Sequence, residues 1–120
     1  MMYKYLPLLL AIFLLLTGLA HLMIPNFYEP LIPEVVHPHF ANIAAAIAEI
    51  STACLLLFKK TQKIGGIAFA ILMLLFLPIH ILDLISEVPV VGSKTTAVLR
   101  LLLQGVFIYL GWSIWKSSKD

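Results

Sequence analysis

Four apolar runs, each about as long as a bilayer is thick, dominate this chain, and a handful of ionisable residues interrupt them: His21, Glu49, His80 and Arg100. A spanning helix needs about 20 mostly apolar residues. Runs of that kind lie at about 5–24, 40–58, 64–85 and 96–115. The hydrocarbon satisfies no backbone polar group, so such segments span as helices. Short connections make neighbouring helices antiparallel. The expected fold is therefore all-α: one domain, a four-transmembrane-helix antiparallel bundle. A charge at the bilayer centre costs roughly 2.5–3.5 kcal/mol even on the mild insertion scale. The embedded ionisable residues should accordingly face the bundle interior, pair with one another and mark a site.

Composition excludes most other classes. The 120 residues are 62% hydrophobic and 12% charged, against about 45–50% and 25% in soluble domains. The length leaves no room for a second domain. A net charge of +2 from dispersed lysines gives no basis for binding nucleic acid. The one cysteine, Cys54, rules out an internal disulfide or a CxxC pair, and its apolar setting reads as a packed thiol. Lys4 and Gly18-Leu19-Ala20 loosely imitate a signal peptide. The first run is longer than a usual signal-peptide core, which favours a retained span.

Lysines set the orientation. With the N-terminus cytoplasmic, that side collects Lys4, Lys59, Lys60, Lys63, Lys116 and Lys119, and the opposite side only Lys94. The positive-inside rule then places both termini in the cytoplasm. Tyr109, Trp112 and Trp115 near the end of the fourth run suit an interfacial belt. The first outer connection carries Pro25, Pro30, Pro33 and Pro38, which disfavour regular helix. Its Phe27, Tyr28, Leu31 and Ile32 predict a lid lying on the membrane surface. The second, Ser86 to Thr95, is also broken by proline and glycine.

At about 1.5 Å of rise per residue, Glu49 lies roughly 14 Å into the second span, with Gln104 at a similar level. His21, Asn42, His80, Asp83 and Arg100 fall in the outer third. Asn42 and Glu49 share a helix face, as do Thr17 with His21, His80 with Asp83, and Arg100 with Gln104. Each span thus presents one polar stripe. Four such stripes are satisfied by facing each other around a narrow pocket, open to the outer leaflet and floored by Glu49. The alanines at 41, 44, 45, 46, 48 and 53 suggest that the second span is the central one. Pro78 should kink the third span and release a backbone carbonyl near the pocket. Gly65-Gly66 reads as close helix packing.

Structural explanations compete with functional ones. Glu49 and Arg100 could be a buried ion pair that locks the bundle, since a long arginine spans the difference in depth. His80 and Asp83 read either as interfacial groups or as an oriented imidazole. A hydrogen bond to a neighbouring helix suffices to explain His21. His37-Pro38-His39 lacks the further ligands a metal site needs. No phosphate loop, nucleophile elbow or metalloprotease motif is present.

The order of certain segments resembles that of DoxX-like membrane proteins. These are Thr17-Gly18-Leu19-Ala20-His21 with Pro25 and Phe27, Ile47-Ala48-Glu49-Ile50, Phe76-Leu77-Pro78-Ile79-His80, and Arg100-Leu101-Leu102-Leu103-Gln104-Gly105. The resemblance covers nearly the whole chain. It departs at Ala45 or Ala46, where many relatives carry glycine before the glutamate, and at His80 and Asp83, where asparagine and tyrosine are common. It implies a four-helix protein of the bacterial inner membrane. Relatives include subunits of a thiosulfate:quinone oxidoreductase, proteins tied to oxidative-stress defence, and a eukaryotic branch that assists receptor assembly. A further branch uses a cysteine pair, which this chain lacks.

The leading expectation is a small accessory subunit that binds a quinone or lipid from the outer leaflet. Arg100 and Gln104 would hydrogen-bond the ligand, and Glu49 or His80 would exchange protons, with His21, Asn42 and Asp83 completing the site. No flavin, haem or metal motif is evident, so on its own the chain is not expected to be an enzyme. Electrons would come from a partner redox subunit. The alternatives are a non-enzymatic assembly protein, whose polar stripe would pair with client spans, and a proton-coupled transporter.

Overall fold

The structure of this protein, a computed structural model, describes residues 2–32, 34–85 and 93–118. Four long helices carry the four apolar runs: α1 (Met2–Met23), α2 (Pro38–Leu57), α3 (Gln62–Ile85) and α4 (Lys94–Ser117). All four are long and apolar enough to cross a membrane, and they pack antiparallel. The long dimension of the molecule, 44 Å, matches the roughly 40–45 Å of a bilayer with its headgroups. The chain is a multi-pass membrane protein.

The helix ends show why the boundaries fall where they do. Pro38 opens α2 in its first turn, where a missing N–H is no loss. Beyond α2, the Thr61 hydroxyl donates to the Leu55 carbonyl at 2.8 Å. Ser93 caps α4 and accepts from the Thr96 amide. Lys94, the single lysine at its end of the bundle among the described residues, donates through Nζ to the Leu84 carbonyl at 2.7 Å. Orphan carbonyls at helix ends are thereby answered from within the chain, as a nonaqueous setting requires.

The helices form two pairs. α1 runs along α2 and α3 along α4, a lesser contact joins α2 to α3, and α1 scarcely touches α4. Toward the lysine end, Leu10, Ala11, Leu14, Ala53, Leu56, Phe69 and Ile114 make a continuous core. There Lys63 lies over the Trp115 ring and Lys116 over Trp112, an interfacial arrangement of amphipathic side chains. Two glycines set the α3–α4 approach. A Cβ on Gly66 would sit 2.8 Å from the Gly111 carbonyl oxygen, and one on Gly111 would sit 2.7 Å from that of Gly66. Gly65 lies equally close to the α2 backbone at Leu56. The close packing expected at Gly65-Gly66 is thus present on both sides of α3.

Two expectations are corrected. α2 is not a central helix: one face is buried at Ala46, Glu49, Ala53 and Leu56, while Ile43 and Ile47 stay exposed. Its small residues serve contact with α1 on one side and α3 on another, without enclosing it. Cys54 is exposed on the apolar perimeter, not packed. Pro33, most of the second outer connection (86–92) and Lys119 lie outside the described residues.

Gly111→Val should lower the unfolding midpoint in detergent, at a cost of about 1–3 kcal/mol or more, because backbone atoms on α3 cannot yield to the new methyls. Gly105 has open space around it. Gly105→Ala should therefore be neutral or stabilising by up to about 1 kcal/mol. Equal effects at the two positions would contradict the tight crossing.

Candidate functional site: a polar pocket within the membrane

At the end opposite most of the lysines, the chain between α1 and α2 folds into two single 3-10 turns, Pro25–Phe27 and Glu29–Leu31, each with a proline in its first positions. Proline pre-sets the backbone of such turns and forbids longer helix. The result is the lid expected from the sequence. The Tyr28 ring stacks on His21 with centroids 3.7 Å apart, and Phe27 meets Tyr28 edge-on at 5.1 Å.

Beneath the lid is a cavity of about 290 Å³, lined by all four helices. An apolar cavity of about 150 Å³ accepts benzene, so this space suits a head group about two rings in size. α1 contributes Phe13, Thr17 and His21, and α2 contributes Glu49. α3 supplies Met73, Phe76, Ile79 and His80, and α4 supplies Arg100, Leu103, Gln104 and Phe107. Tyr28, Leu31 and Ile32 cover it.

One polar cluster joins α1 to α2. The His21 Nδ1 is 2.8 Å from the Asn42 Oδ1, and the Asn42 Nδ2 donates to the Pro25 carbonyl at 3.4 Å. The other ring nitrogen, Nε2, is 3.6 Å from the Glu49 Oε2. The Thr17 hydroxyl, 3.2 Å from the Leu14 carbonyl, also reaches the Glu49 carboxyl. Glu49 is only 4% exposed, and its Oε2 has no hydrogen-bond partner. That oxygen is the single buried side-chain polar atom so placed among the described residues. A hydrophobic setting makes an unanswered carboxylate oxygen costly.

A second cluster joins α3 to α4. The Arg100 Nη1 donates to the Asp83 Oδ2 at 3.0 Å, and its Nη2 lies 3.3 Å from the His80 Nδ1. The Gln104 Nε2 donates to the Met73 carbonyl at 2.9 Å. The Met73 carbonyl is the helical acceptor for Leu77, so Gln104 adds a second bond to it, one residue before the Leu74 carbonyl that Pro78 leaves without its usual donor. α3 remains helical through Pro78.

The structure thus gathers His21, Glu49, His80, Arg100 and Gln104 around one cavity, with Asn42 and Asp83 buried behind the lining. The Glu49–Arg100 ion pair weighed from the sequence is not formed. Asp83 faces Arg100 at the same level of the α3–α4 pair and takes the guanidinium, while Glu49 lies deeper on α2. Nor is Glu49 the floor. One turn deeper, the Phe13 and Phe107 rings meet at 4.9 Å and close the cavity with Met73. Sequence reasoning missed these residues because apolar side chains in apolar spans carry no distinguishing signal. Helical spacing from Thr17 and Gln104 was the one available pointer. His37 and His39 stand 6.4 Å apart by ring centroid, and no group of three or more metal-capable side chains exists among the described residues.

Residues 10–115 match the family described as Domain of unknown function (DUF8561), and the chain belongs to it. No curated protein and no solved structure matches. The DoxX-like resemblance therefore rests on the motifs quoted above.

Two predictions follow the geometry. Arg100→Met removes the guanidinium that donates to the buried Asp83 carboxylate and should destabilise the bundle by about 3 kcal/mol, at the low end for a broken buried pair because Arg100 is partly exposed. Adding Asp83→Leu should recover much of that loss in a double-mutant denaturation cycle, and strictly additive losses would refute the pairing. Burial, and behind it the nearby Glu49 carboxyl, pushes the Tyr28 phenol above its ordinary range. Both causes disfavour the phenolate, so ultraviolet titration of wild type against Tyr28→Phe should show Tyr28 ionising above about pH 10. Glu49→Gln removes the smaller cause and should lower that value only part of the way.

Proposed function

We propose that this DUF8561 member is an intramembrane binding protein for an amphipathic small molecule, a quinone or a lipid, that enters from the outer leaflet. The observation that carries the reading is a 290 Å³ cavity lined by Glu49, whose buried Oε2 has no hydrogen-bond partner. Concave, mostly apolar spaces with a few convergent polar groups are the usual form of ligand sites. The lysine bias supports cytoplasmic termini, with the lid on the opposite side of a bacterial inner membrane. The lid restricts access from water, and the slight contact between α1 and α4 leaves a lateral way in from lipid. In this reading the chain serves as an accessory subunit that presents its ligand to a partner redox subunit.

The competing assembly reading calls for polar residues on the outer faces of the spans. Asn42, Glu49, Asp83 and Gln104 are buried instead, which favours a ligand. In native-lipid particles, mass spectrometry should find an amphipathic molecule retained by wild type. Glu49→Gln, and Leu103→Trp placed to fill the cavity, should each reduce it by about tenfold or more. Equal retention by all three proteins would refute the pocket as the binding site.

A further inference from the structure

We propose that the pocket selects amphiphiles whose head donates hydrogen bonds, through a hydroxyl or an ammonium group, over those whose head only accepts them. The inference rests on the cavity being a ligand site.

The argument begins behind the cavity, at Asn42. Its Nδ2 faces the Pro25 carbonyl, which only accepts, so its Oδ1 faces His21. The reverse orientation would set two oxygens against each other. His21 must then carry a hydrogen on Nδ1 and, when neutral, present a bare lone pair at Nε2. That lone pair lies 3.6 Å from the Glu49 Oε2, itself an acceptor without a partner. Without a proton between them, the two atoms are adjacent acceptors. With one proton, its hydrogen lies between the two atoms, 3.6 Å apart, and is directed at the pair instead of the cavity. Neither state offers a donor to an incoming head. Asn42 acts here as a positioning residue, fixing the tautomer without lining the cavity.

The opposite wall adds to this bias. The Gln104 Nε2 is engaged by Met73, and no hydrogen bond occupies Oε1 among the described residues. The Thr17 hydroxyl has the Leu14 carbonyl and the Glu49 carboxyl as its acceptors. The donors that remain lie nearer the lid. His80 accepts from Arg100 at Nδ1, so a neutral ring carries its hydrogen on Nε2. Arg100, paired with Asp83, is partly exposed, and the Tyr28 hydroxyl belongs to the lid. The deep end is therefore rich in acceptors and the rim holds the donors. A head that reaches Glu49 must bring its own hydrogens. An oxidised quinone has only carbonyl oxygens, its reduced form has two hydroxyls, and an ammonium adds charge to match Glu49.

The test uses the full chain in detergent and native mass spectrometry with probes matched in their apolar part. One pair is an alkyl-hydroquinone and its quinone, the other an alkylamine and the corresponding nitrile. Wild type should retain the donor of at least one pair about tenfold more than its acceptor-only counterpart. Preference in the first pair identifies a hydroxyl head, and preference in the second an ammonium. Glu49→Gln, which brings its own donor, should drive the ratio toward one. Asn42→Ala, a second variant should the first misfold, frees His21 to donate from Nε2 to Glu49 and should also shrink the ratio. A wild-type ratio of one or less in both pairs overturns the inference but leaves a binding pocket, with heads docked at His80 and Arg100. Retention of none of the four probes overturns the pocket reading as well.

Discussion

The hydrocarbon interior offers no hydrogen bonds, and the arrangement of this bundle follows from how its few polar groups answer that lack. Asn42 bridges His21 and the lid. Arg100 gathers Asp83 and His80. Gln104 takes a backbone carbonyl of α3. Each of these bonds lies inside one helix pair, α1 with α2 or α3 with α4. Among the described side-chain hydrogen bonds of the spans, none crosses from one pair to the other. The two pairs are thus locked separately and joined by apolar packing. The cavity opens at the seam between them, where no polar bond draws the walls together.

The two ends of the seam differ for a physical reason. In lipid there is little hydrophobic drive for helices to associate, so contact depends on close packing. At the lysine end, Gly66 and Gly111 bring α3 and α4 to backbone contact, and Gly65 does the same toward α2. On the lid side the seam is lined instead by Phe76, Ile79, Leu103 and Phe107, whose bulk holds the pairs apart. Phe13 against Phe107 marks the level where separation gives way to contact. A firm base and a spread mouth result from the same four helices. The lid then covers the mouth through a ring stack, a contact that can open without breaking any backbone bond of the spans.

The fold was readable because span length and apolarity are one-dimensional properties. Four runs, their limits within a few residues, and the antiparallel order required nothing beyond the chain. Depth was readable too, since the helical rise converts residue number into distance, and it correctly set Asn42 and Glu49 on one buried face. Partner choice was not. Glu49 with Arg100 and Asp83 with Arg100 were both compatible with depth and side-chain reach, and only the pairing of α3 with α4 decides between them. The alanines of α2 misled for a related reason. Small residues report that something approaches closely on their own face, and at Ala46 and Ala53 that face is buried while Ile43 and Ile47 stay exposed on the other. The apolar floor had no signal at all against an apolar background.

Arg100's commitment to Asp83 decides what kind of site the remaining groups make. Had the guanidinium reached Glu49, the pocket would have held a satisfied ion pair and a plain apolar wall. With its one arginine already matched, the cavity keeps a carboxyl whose nearest titratable partner is a histidine of fixed orientation. A buried group in that position stays responsive, since any donor entering the cavity changes its surroundings more than it would in water. The α3–α4 ion pair is thus structural, and by holding the strongest cation away from Glu49 it leaves the α1–α2 wall with a buried carboxyl oxygen that no hydrogen bond satisfies.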